Sequence, residues 1–198
     1  TKKTNNYLDE KELKKINKLK SLIFSKKQNL IENGLKISVD LSNDNKVCAY
    51  VAKKSSSYIN FNKIKFYETK KFWKPLMPVN KSIIIEKNKF YILRSKEKIK
   101  IPDNLAGEMI PYDTGIGDFR VHYAGFFDPG FGDPMGSYAV LEVKTNEIPF
   151  MIEDGQTIAR IKYEKLTKKV YRFVGDSIWE KYSGLDNKRD FVIRRNSL

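Results

Sequence analysis

With 198 residues, 40% of them hydrophobic, the chain is long enough to bury one substantial core and an appended segment. One histidine, His122, and one cysteine, Cys48, exclude an intramolecular disulfide and a zinc site with His-x-Glu and Cys-x-x-Cys ligands built from this chain alone. The formal net charge of +14 bears on association rather than fold: scattered among Asn, Ile and Glu, the lysines read first as a solvated basic surface and second as an anion-binding one.

Residues 1–6 are polar, and the pattern turns helical at Leu8. Leu8, Leu13, Ile16, Leu19, Leu22 and Ile23 recur at spacings of three to five, which predicts one amphipathic helix over roughly 8–24 with lysines on its wet face. Asn6 or Asp9 is the candidate N-cap. A polar connector closes at the turn signal Asn33-Gly34.

From there the period changes to two. Lys36-Ile37-Ser38-Val39-Asp40-Leu41 alternates as a half-buried strand does, and Val47–Val51 and Tyr58–Phe61 continue the rhythm. Between Phe66 and Pro78 the prolines Pro75 and Pro78 break any long element, so Tyr67, Phe72 and Trp73 are expected to pin a loop or a short helical turn. Ile83–Ile85, Phe90–Leu93, Ile99–Ile101 and Ala106–Ile110 read as short strands with charged turns between them. Pro111 to Gly117 forms a glycine-bearing loop. Ile148–Ile152 and Thr157–Tyr163 flank the turn Glu153-Asp154-Gly155-Gln156.

The stretch from Arg120 to Gly132 organises the rest. It carries Phe126, Phe127 and Phe131 in a loop with Asp128, Pro129, Gly130 and Gly132, and leads to the strand Tyr138–Val143. That composition predicts a hairpin or arch with unusual backbone angles, its aromatics packed on core, partner or ligand. Many short strands and one convincing helix predict a mainly β barrel or sandwich. The expected organisation is a helix and connector over 1–32, a barrel over 33–185 and a basic tail over 186–198. An initial Thr suggests a processed chain or a part of a longer one. No apolar run nears the roughly 20 residues that span a bilayer, and no signal-peptide core is seen, so a cytoplasmic setting is expected.

No nucleophile elbow, phosphate loop or dinucleotide fingerprint occurs. His122 on an alternating strand reads as a structural histidine. Glu142 is the acid of interest: Val140, Glu142 and Lys144 share one strand face, Leu141 and Val143 the other. It reads either as a solvent-facing partner of Lys144 or as a carboxylate desolvated beside an aromatic loop and suited to acid–base work.

Several separated motifs together resemble one family. Arg120 to Gly132, Ser137 to Val143 and Glu153-Asp154-Gly155-Gln156 are similar to deoxycytidine triphosphate deaminases, which share the dUTP pyrophosphatase-like distorted β-barrel. Gly34–Leu41, Phe72–Leu76 and Glu108–Asp113 narrow the resemblance to the C-terminal half of the long two-domain form. The resemblance covers about residues 8–185. It implies metal-independent deamination of dCTP to dUTP, with Glu142 activating water and magnesium riding on the triphosphate rather than zinc in the protein. It implies further that Asp128 and Gly130 form a sugar pocket in which Glu142 lies close to Asp128. Val140 and Leu141 would line the nucleoside site through their backbone, with Gln156 and Tyr171 as further substrate contacts. Active sites between neighbouring barrels would make a homotrimer, or a pseudo-trimer with an upstream homologous half. The family's Ser-Ser-x-x-Arg stretch has Tyr112 to Gly117 in its place, so the upstream half is expected to carry it. Two other readings stand beside this one: a non-catalytic barrel supporting such a half, and a basic nucleic-acid-binding module.

Overall fold

The structure is a computed structural model that describes residues 7–167, apart from 26, 28, 55–56, 61, 64–65, 112–118, 122–124 and 146–147; of 119–121 it gives the backbone. One helix, α1 (Glu10–Lys20), precedes the strands. Asp9 is its N-cap: its carboxylate accepts the Glu12 amide at 2.8 Å, and Glu12 returns the bond to the Asp9 amide. The helix stops short of the predicted Phe24 because Ser21 turns into the left-handed region at φ 48°. Ile23 and Phe24 then form the short strand β1. Leu19, counted on the apolar face, is 77% exposed, whereas Leu8, Leu13 and Leu22 enter the core.

The strands that follow are β2 (Leu35–Ser38), β3 (Ala49–Ala52), β4 (Trp73–Leu76), β5 (Ser82–Ile85), β6 (Phe90–Ile99), β7 (Leu105–Pro111), β8 (Phe119–Val121), β9 (Phe126–Phe127), β10 (Ser137–Thr145), β11 (Phe150–Glu153) and β12 (Thr157–Lys165). The one-turn helix α2 (Thr69–Phe72) runs straight into β4. Pro75 is tolerated in β4 because that strand lies at a sheet edge.

All pairings are antiparallel. The largest sheet runs β4-β3-β6-β10-β8, with β1 on the far end of β6. A second runs β2-β12-β7-β9, and β11-β5 forms a ribbon. One core fills the space between them, including Leu35, Ile37, Leu93, Leu141, Val143, Ile152 and Ile161. This is the mainly β, dUTP pyrophosphatase-like barrel expected from the strand rhythm and the resemblance.

Two local expectations need correction. Phe90–Leu93 and Ile99–Ile101 are not two strands: β6 runs unbroken from Phe90 to Ile99, since its charged middle alternates inward Ser95 and Glu97 with outward Lys96 and Lys98. Tyr58–Asn60 is not a strand; Tyr58 is 99% exposed and the segment has no ladder partner to bury it. Of the two forms expected of the aromatic stretch, hairpin or arch, it takes the arch. β8 pairs with β10, β9 crosses to β7, and the chain returns to β10 through the turns at 128–136. Phe127 and Phe131 are buried and meet edge to face at 4.9 Å, but Phe126 is exposed.

Candidate active site

β10 brings the acid into place. Its inner side chains Ala139, Leu141 and Val143 are fully buried, so alternation sends Val140, Glu142 and Lys144 to the outer face of the large sheet. That face is not plain solvent. Glu142 stands opposite Ile92 on β6, which in turn stands opposite Tyr50 on β3. Ile92 is 1% exposed and Val140 7%, and Tyr50, Trp73 and Phe90 pack around them as a second apolar cluster outside the main core. Glu142 itself is half-buried. A carboxylate flanked in this way exchanges part of its water for hydrocarbon, the setting that suits proton transfer.

Arg94 enters the same face, opposite Val140 and therefore diagonal to Glu142. It is ion-paired to Asp40 and lies 4.5 Å from the ring centre of Tyr138. Sequence reading passed over Arg94 because it sat in what looked like a charged turn; its signal was the alternation Arg94, Lys96, Lys98.

Asp128 and Gly130 lie elsewhere in the chain. Gly130 (φ +84°) donates its amide to the Ile101 carbonyl at 2.9 Å, and Ile101 returns a bond to the Phe131 carbonyl. This fixes the arch beyond the Ile99 end of β6, where Ser137 begins β10. From Ser137 to Glu142 is five residues, or roughly 17 Å of strand. Asp128 stands at the start of the turns between β9 and β10, its carbonyl accepting the Phe131 amide at 3.1 Å. Leu141 points into the core, so only its backbone is open to the outer site.

Gln156 is exposed on the turn between β11 and β12, its side-chain oxygen accepting the Glu153 amide at 3.0 Å. Asp154 in the same turn accepts the Leu41 amide at 2.9 Å and is ion-paired to Lys96. The Gln156 carbonyl accepts the Val39 amide, and Val39 bridges Ser95, which puts this turn beside β6. Tyr171, His122 and the loop 112–117 lie outside the described residues. Among the described residues no group of three or more His, Cys, Asp or Glu side chains could hold a metal ion. Burial pushes the Cys48 thiol up to about 11, so near neutral pH it is not a thiolate nucleophile.

An antiparallel barrel with an acid on β10 beside an apolar outer cluster belongs to the dUTP pyrophosphatase-like fold class. Residues 9–189 match the model of the 2′-deoxycytidine 5′-triphosphate deaminase C-terminal domain, and the chain belongs to that family. It is similar to the crystal structure of 2′-deoxycytidine 5′-triphosphate deaminase from Agrobacterium tumefaciens, with 38% identity and a TM-score of 0.76 over 83% of this chain. That alignment takes in 49% of the Agrobacterium chain, so the present one spans about half its length. No curated relative matches the chain.

Proposed function

We propose that the chain is the Glu-bearing barrel of a deoxycytidine triphosphate deaminase, converting dCTP and water to dUTP and ammonia. The observation that carries this reading is the placement of Glu142, half-buried beside Ile92 and Val140 in a chain that matches the deaminase C-terminal domain over nearly its whole length.

Glu142 takes a proton from water as the oxygen attacks C4 of cytosine. It then passes that proton to N3 and relays the second, from the C4 hydroxyl of the tetrahedral adduct, to the amine as the C4–N bond breaks, so that one carboxyl group serves as base and acid in turn. Val140 and Leu141 offer backbone groups to the nucleoside. Asp128 and Gly130 hold the sugar, and Gln156 and Tyr171 are further nucleotide contacts. Zinc has no part in this scheme. Magnesium arrives on the triphosphate as part of the substrate, drawn from the cytoplasmic nucleotide pool.

The site forms between neighbouring barrels, arranged as a homotrimer or as a pseudo-trimer with an upstream half. Handling of the phosphates then falls to that neighbour, and this chain alone is inactive or nearly so.

Glu142→Gln keeps the side-chain shape and removes the base. With the chain in its full assembly, dCTP turnover should fall by about 10² to 10⁴ while the far-ultraviolet spectrum is unchanged. Equal turnover in variant and wild type would assign the chemistry to the other half.

A further inference from the structure

Midway along β6 the ladder to β10 is irregular. Tyr138 pairs with Lys98 and Val140 with Arg94, so Ser95, Lys96 and Glu97 all stand opposite the single residue Ala139. Ser95 closes this bulge. Its hydroxyl accepts the Ala139 amide at 2.7 Å and donates to the Glu97 carbonyl at 2.7 Å, and it is fully buried. Glu97, 1% exposed, turns its carboxylate inward to β2, where it accepts the Ser38 amide at 2.8 Å and the Ser38 hydroxyl at 2.5 Å. The second sheet is also irregular at Ser38: Thr157 pairs with Ser38 and Ala159 with Ile37, leaving Ile158 as the extra residue. Both irregularities therefore meet at one buried polar link, and the next residue, Val39, carries the Gln156 turn.

We infer that Ser95 and Glu97 are positioning residues, whose buried link through Ala139 and Ser38 fixes the register of β10 and thereby sets Glu142 opposite Ile92. The bulge adds two residues to β6, an even number, so the inner and outer faces keep their identity on both sides of it. A ladder without it slides by two residues, which carries Glu142 roughly 7 Å along β6, from Ile92 to Arg94. The acid then leaves the apolar cluster for a cationic neighbour. A hydroxyl at Ser95 is required because it is what the Ala139 amide bonds to at the bulge, and a buried amide without a partner is costly.

This inference rests on the reading of Glu142 as the base, and the experiment separates the two. Ser95→Ala, Ser95→Thr and Glu97→Gln are made in the complete assembly. Each is assayed for kcat and KM with dCTP, and its backbone register is read by nuclear magnetic resonance as cross-strand contacts between Glu142 and Ile92. Ser95→Ala should lower kcat by about 10- to 100-fold with KM changed less than about threefold, and should lose the Glu142–Ile92 contacts. Ser95→Thr, which keeps the hydroxyl, should restore both. Glu97→Gln supplies the register test should Ser95→Ala fail to fold, and should weaken the same contacts.

A Ser95→Ala or Glu97→Gln protein that keeps the Glu142–Ile92 contacts overturns the inference, whatever its turnover. Should wild type show no turnover, the functional reading falls by itself, and the same contacts still decide whether Ser95 and Glu97 set the place of Glu142.

Discussion

Ile92 lies directly across the β6–β10 ladder from Glu142 and, although it faces away from the main core, it is as buried as a core residue. The outer face of the large sheet thus carries a second apolar cluster under the acid, built from Ile92 and Val140 with Tyr50, Trp73 and Phe90 packed against them. A Glu meant only for solvent has no need of such surroundings.

That packing gives the first prediction. Ile92→Ala opens a cavity beneath Glu142 and should destabilise the chain by about 2–4 kcal/mol, measured by urea unfolding with an unchanged slope. A loss below about 0.5 kcal/mol would mean that the cluster is loose and the acid wet.

The arch between β9 and β10 gives the second. Gly132 has φ +73°, and a Cβ there would lie 2.3 Å from the Ile99 carbonyl oxygen and 2.8 Å from the Ser137 amide nitrogen. Both neighbours are backbone, so neither can swing away. Gly132→Ala should cost at least about 2 kcal/mol, through the left-handed strain and the clash together. Gly125→Ala is the control, since among the described residues nothing lies within 4 Å of its added Cβ, and should stay within about 0.5 kcal/mol. Equal midpoints for the two variants in urea would refute the arch geometry.

Much of this could be read in the sequence, and the part that could not shares one physical cause. Ile83–Ile85, Lys36–Ser38 and Thr157–Tyr163 fall in observed strands because their inward positions are mostly hydrocarbon, which makes the period of two visible. β6 was split because its inward positions at 95 and 97 are Ser and Glu; a buried acid satisfied by Ser38 looks, letter by letter, like a charged turn. The same blindness hid Arg94 and the link that sets the β10 register. The outward placement of Glu142 followed from alternation alone. The anchoring of the arch did not, since it depends on hydrogen bonds between the arch and Ile101, far off in sequence. Tyr58–Asn60 shows the converse error, in which a strand-like composition has no ladder to join among the described residues.

A third prediction concerns alkaline pH. The Tyr7 hydroxyl donates to the Glu108 carboxylate on β7, and this hydrogen bond, followed by burial and the charges of Glu108 and Glu164, pushes the phenol up to about 12. The folded chain therefore holds the phenolic proton more tightly than the unfolded chain, whose value is near the ordinary 10. The sign follows: the contribution is complete below pH 10 and is lost as pH rises from 10 towards 12. Tyr7 is partly exposed, so screening keeps the effect small, about 1 kcal/mol or less. Thermal midpoints of Tyr7→Phe and wild type should differ at pH 8 and converge by pH 12; a constant offset would remove the Glu108 contact from the account.

The last prediction tests whether the site is shared between barrels. Glu142 lies within β10, and the Asp128 arch enters that strand at Ser137, with roughly 17 Å of strand between Ser137 and Glu142. If the two residues of one site come from different chains, two inactive variants can repair each other. Glu142→Gln and Asp128→Asn are each prepared in the full assembly, where each should lose most dCTP turnover. They are then dissociated, mixed in equal amounts and reassembled. A shared site that takes one residue from each of two chains pairs an intact Glu142 with an intact Asp128 in about one site in four, so about a quarter of wild-type turnover should return. A site built within one chain has no such combination, since every chain in the mixture is broken at one residue or the other, and turnover stays at the level of the variants. Mixing each variant with itself controls for recovery during reassembly. No gain over those controls would show that Asp128 and Glu142 act, if they act together, inside a single barrel.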